Sequence, residues 1–159
     1  MKKLFLGCVL GTFAFADERS LTYVFDSLSH PEPVFQKRLV CELFQNKVIV
    51  ETTIEGVTLK KESSIKMSDS SGKQFQNLIE EIIKVPLVSV PGPEQRFKTR
   101  IFVTDPASEE VDTLRETGNQ FVATRRTEAF ARLGRILIHA CQMAGYPETM
   151  SETFASGTN

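Results

Sequence analysis

Residues 38–67 read RLVCELFQNKVIVETTIEGVTLKKESSIKM, and the period of that stretch decides the fold. Val48, Val50, Thr52 and Ile54 share one parity while Glu51 and Thr53 take the other, so a strand over 47–54 has one apolar face. Leu39, Cys41 and Leu43 share a face in the same way over 38–44. Gln45-Asn46 and Glu55-Gly56 are short polar breaks between β-prone runs, which reads as two tight hairpins. The stretch is therefore an antiparallel three-stranded meander with one dry side, and Cys41 lies on that side.

On the N-terminal side, residues 21–25 form another short β-prone run, followed by a serine- and proline-rich loop over 27–33. On the C-terminal side the period changes. Phe75, Leu78, Ile79, Ile82 and Ile83 recur at helical spacing, with Asp69 or Ser70 as cap, which predicts an amphipathic helix over 70–84. Residues 86–93 carry three prolines and Gly92 and read as a stiff connector whose prolines forbid regular pairing. A strand follows over 96–104, with Phe97, Thr99, Ile101 and Val103 on one face, and a hairpin over 111–124 turns at Gly118-Asn119. The last element is a helix over 127–144. Its stripe is Phe130, Leu133, Leu137, Ala140, Cys141 and Ala144, and Gly145 then Pro147 stop it. Strands, helix, strands, helix, with short connections, predict an α+β domain: a mostly antiparallel sheet, meander plus hairpin, with two amphipathic helices packed on one face.

The N-terminus carries an address. Met1-Lys2-Lys3 is cationic, residues 4–15 are almost wholly apolar, and Ala14-Phe15-Ala16 offers small residues where a signal peptidase inspects. Cleavage between Ala16 and Asp17 is expected, giving an exported (periplasmic or secreted) chain; the alternatives are an uncleaved anchor, for which the run is short, lipidation at Cys8 and an ordinary N-terminal segment. The domain then spans 17–147, with a flexible tail over 148–159. The whole chain has 159 residues, 41% hydrophobic and 25% charged, with a net charge of −1. Cleavage would remove two lysines and leave 143 residues with 17 basic and 20 acidic side chains, net −3. That balance argues against a nucleic-acid partner, and nothing in the mature chain reads as a membrane span. Cys41 and Cys141 are the cysteines left, an even pair in an oxidising compartment, and they read as a disulfide; two buried free thiols are the alternative.

Few chemistries find support in the residues. His30 lies in the loop and His139 on the polar side of the last helix; no HExxH, CxxC, G-x-S-x-G or glycine-rich phosphate loop occurs. No metal, cofactor or catalytic residue is assigned. Asp105, Glu109, Glu110 and Asp112 lack a calcium-loop framework and read as a solvated turn. Arg125, Arg126, Arg132 and Arg135 give the last helix an arginine-rich outer side toward an anionic partner, although residues 96–135 set six acidic groups against eight basic ones. The sharpest candidate is the connector: Leu87, Val88 and Val90 on a stiff exposed segment lose little entropy on docking to a protein partner. The expected function is a small exported binding or inhibitor-like module without catalysis, and the alternative is a small envelope hydrolase whose site is assembled from distant residues.

Overall fold

Glu55 and Gly56 both take positive φ, 50° and 79°, as the two-residue turn of a tight hairpin requires. β3 (Lys47–Ile54) therefore folds straight back into β4 (Val57–Ser64), with Ile54 opposite Val57. The computed structural model describes residues 19–92, 94–118 and 120–146. The stretch 1–16 expected to be a signal segment, the expected tail over 148–159 and Asn119 of the predicted turn lie outside the described residues.

Ahead of β3 come β1 (Ser20–Asp26) and β2 (Lys37–Leu43), paired with Tyr23 opposite Cys41. After β4 come α1 (Asp69–Ile83), β5 (Val88–Pro91), β6 (Lys98–Asp105), β7 (Glu110–Gly118), β8 (Phe121–Thr124) and α2 (Glu128–Met143). All eight strands join one antiparallel sheet in the order β4-β3-β2-β1-β6-β7-β8-β5. The meander, the strand over 96–104, the hairpin and both helices stand where the sequence puts them. A register shift between Ile101 and Phe102 marks a bulge in the β6–β7 pair, and Leu114 beside it is fully buried.

The connector departs from expectation, because its prolines do not forbid pairing. In an antiparallel ladder only alternate residues turn their main-chain groups to the neighbour. Gly92 N donates to Gln120 O, so Val90 and Val88 pair toward Val122 and Thr124, and Pro91 places its missing N–H on the open edge. The segment is thus an edge strand.

Both helices cover one face of the sheet. Ser68, one residue before the expected caps, accepts from Ser71 N with its hydroxyl (3.2 Å), which leaves Asp69 as a first-turn acid favourable to the helix dipole. Thr127 caps α2 by accepting from Phe130 N at 3.0 Å. At its other end Gly145 takes φ 89°, and Tyr146 N donates back to Cys141 O. Phe75, Ile79 and Ile82 of α1 and Leu133, Leu137 and Cys141 of α2 are fully buried against Leu39, Leu43, Val48 and Ile101. Cys41 and Cys141 form a disulfide between the middle of β2 and the end of α2, their Cα atoms 6.0 Å apart. It closes a loop of 100 positions, for which loop-closure entropy gives about 4.7 kcal/mol. The helices do not reach the ends of the sheet: Ile54, on the predicted dry face, is 47% exposed.

Candidate functional site

The side of the sheet that carries the core runs on past the helices at the end where β1 leaves and β6 enters. Leu21 and Tyr23 are buried under the helices, whereas Phe25, next on the same parity, lies at the margin of the core. Phe97, just before β6, stacks on it with ring centres 5.4 Å apart and planes 26° from parallel. Residues 27–36 fold over this pair as an ordered hairpin loop. Asp26 Oδ1 accepts from Leu28 N at 3.0 Å, and His30 N donates to Ser27 O at 2.9 Å. The buried Ser27 hydroxyl donates to Phe35 O (2.6 Å) and accepts from Lys37 N (3.2 Å), pinning both ends of the loop. Pro33 then opens a short 3-10 turn over Pro33–Phe35.

That loop sets Phe35 and His30 edge to face, ring centres 5.0 Å apart, and Lys37 Nζ stands 5.5 Å from the centre of the Phe25 ring. His30 Nδ1 accepts from Glu32 N (3.1 Å), so the neutral ring carries its proton on Nε2. The result is a recess of about 500 Å³ walled by Phe25, Phe35 and Phe97, with His30, Lys37, Glu94, Gln95 and Arg96 around it. Phe35 and Phe97 are 52% and 41% exposed, an unusual state for two large rings held by ordered neighbours. Gln95 Oε1 is buried and has no hydrogen-bond partner among the described residues. On the opposite face of the same sheet end, Arg38 and Lys98 flank Asp26 in register, with Arg100 and Glu116 one row on. Arg100 lies 4.8 Å from the Phe102 ring centre and donates to Thr113 Oγ1 at 3.1 Å.

The residues singled out in the sequence lie elsewhere. Leu87, Val88 and Val90 are exposed beside and along β5, and Val88 and Val90 border a shallow recess of about 240 Å³ shared with Val85, Pro86, Thr124 and Arg126. Arg126, Arg132 and Arg135 are exposed. Arg125 is turned inward rather than outward: its guanidinium donates to the Ile83 carbonyl at the end of α1 and pairs with Asp112 at 3.2 Å, with only 14% of its side chain exposed. It fastens α1 to β7 and β8. His139 lines a separate recess of about 530 Å³ between the ends of the helices, with Ser71, Met67 and Met143. Among the described residues neither histidine hydrogen-bonds to a serine hydroxyl or carboxylate, and no group of three or more His, Cys, Asp or Glu is arranged to hold a metal.

The aromatic recess escaped the sequence reading because its walls come from two segments some 60 to 70 positions apart. One local signal pointed to it: Val34-Phe35, apolar inside a polar, proline-bounded loop. No protein-family model matches the chain, and comparison with curated proteins gives no match. Among the described residues no helix is long and apolar enough to cross a membrane.

Proposed function

We propose that the chain is an exported, non-catalytic binding module, and that the recess walled by Phe25, Phe35 and Phe97 takes a small amphiphile, an apolar ring or acyl group with an acidic end. The observation that carries this reading is the pair of exposed rings held in place by a hydrogen-bonded loop. Ordered loops bind without a large entropic cost, and rings in a recess supply apolar area at few rotatable bonds. Arg96 and Lys37 line the recess against the single carboxylate of Glu94, a net positive charge that favours an acid. Export is supported by the sequence over 1–16 and by the buried disulfide, which suits an oxidising compartment.

Titration with 1-anilinonaphthalene-8-sulfonate, and with the uncharged N-phenyl-1-naphthylamine, tests the recess. Saturable binding of both is expected, weakened about tenfold by Phe97→Ala, with Arg96→Glu weakening the sulfonate alone, about the effect of losing 1.4 kcal/mol. Binding indifferent to Phe35→Ala and Phe97→Ala would refute the site. A second reading, docking of a protein partner on Leu87, Val88 and Val90 with Arg126 at the rim, rests on their exposure at a sheet edge. Leu87→Asp leaves probe binding unchanged if the ring recess is the site. The hydrolase alternative would draw on a histidine, and His30 already spends Nδ1 on the main chain of Glu32.

A further inference from the structure

We infer that β4 is a self-pairing edge and that the partner on it is a second copy of this chain, joined β4 to β4 about a two-fold axis at Lys61. This inference is independent of the proposed ligand. β4 closes one side of the sheet, is eight residues long and contains no proline, unlike the four-residue β5 at the other side, where Pro91 blunts the edge. The hairpin pairs Ile54 with Val57, and Ile65 N still donates to Asn46 O, so the odd-numbered residues of β4 turn their main-chain groups to β3 throughout. Thr58, Lys60, Glu62 and Ser64 turn theirs outward, where the described residues offer no strand.

In a two-fold antiparallel pair those outward residues must face one another, which leaves few registers. Centring on residue 60 sets Lys60 against its own copy, and centring on 62 does the same to Glu62. Centring on Lys61 uses every outward residue: Lys60 faces Glu62 of the second copy on both sides of the axis, and Thr58 faces Ser64. Glu62 also pairs with Lys47 of its own chain at 3.7 Å, so the charges alternate across the junction. On the helix side the same register sets Val57, 63% exposed, against Ile65 of the copy, and brings Leu59, 70% exposed, under cover. Lys61 does not obstruct the axis, because its ammonium lies beside Gly145 at the end of α2, where helix carbonyls favour a cation.

Sedimentation of the full chain with Cys8→Ser is the test. A dimer is expected. Lys60→Glu and Glu62→Lys should each raise the dimer dissociation constant about tenfold by setting like charges together, and mixing the two variants should restore the dimer, since the hetero-pair matches opposite charges twice. Lys61→Cys should form a disulfide-linked dimer on oxidation, whereas Leu59→Cys should do so only when mixed with Ser63→Cys. A monomer with no cross-link from Lys61→Cys would overturn the inference, as would failure of the mixed charge variants to recover.

Discussion

Arg125 ties α1 to β7 and β8 through a largely covered guanidinium. The run Arg125-Arg126 looks like surface charge, but alternate residues of β8 and its exit face opposite sides. Arg126 is exposed, and Arg125 reaches the Ile83 carbonyl and Asp112. A guanidinium can serve a carbonyl and a carboxylate at once, and its loss strands both. Arg125→Met should therefore cost about 2–4 kcal/mol in urea unfolding, whereas Arg126→Met should stay within about 0.5 kcal/mol. Asp105 makes a different kind of pair. Its carboxyl is held below the ordinary carboxylate range by the hydrogen bond from Arg19 Nε (2.9 Å), with help from the amides of Ala107 and Ser108. A lowered value in the fold means that the pair stabilises above the unfolded carboxylate value and fades as pH falls through the folded one. The stability gap between the protein and Asp105→Asn should accordingly shrink as the pH falls below the unfolded carboxylate value and through the lower folded one, as followed by thermal unfolding in acid.

At the scale of elements, β5 is the clearest test of the ladder argument. Val90 turns its N–H to β8 and Ser89 turns its own to the open edge. Val90→Pro should cost about 3 kcal/mol and Ser89→Pro far less, measured by chemical denaturation of both. The prolines of 86–93 predict a break, but an edge strand tolerates proline on its open side, so the segment pairs. The rest of the element order was legible for a physical reason. Parity in 38–67 and helical spacing over Phe75–Ile83 and Phe130–Ala144 record which side of each element meets the core, and burial follows those patterns at Leu39, Leu43, Phe75, Leu137 and Cys141. The periods do not record where a covered face ends. Ile54 and Phe97 continue apolar faces by parity yet stand exposed, because the helices stop short of them.

Across the whole molecule, the disulfide and the two helices secure the centre of a wide sheet and leave its margins uncovered. β4 offers main-chain groups, β5 an apolar strip, and the β1–β2 loop a ring-walled recess. The recess was not legible in the sequence, since Phe25, Phe35 and Phe97 converge only when β1 pairs with β6 and the loop is pinned by Ser27. The covalent staple was legible, because Cys41 and Cys141 each lie on an apolar parity that the fold turns inward. The most direct measurement of the central claim is a chemical-shift titration of the isotope-labelled protein with 1-anilinonaphthalene-8-sulfonate. Saturable shifts centred on the rings of Phe25, His30, Phe35 and Phe97 and on Arg96 are expected. Shifts centred on His139 and Met143, or on Leu87 and Val88, with the rings unmoved, would contradict the claim.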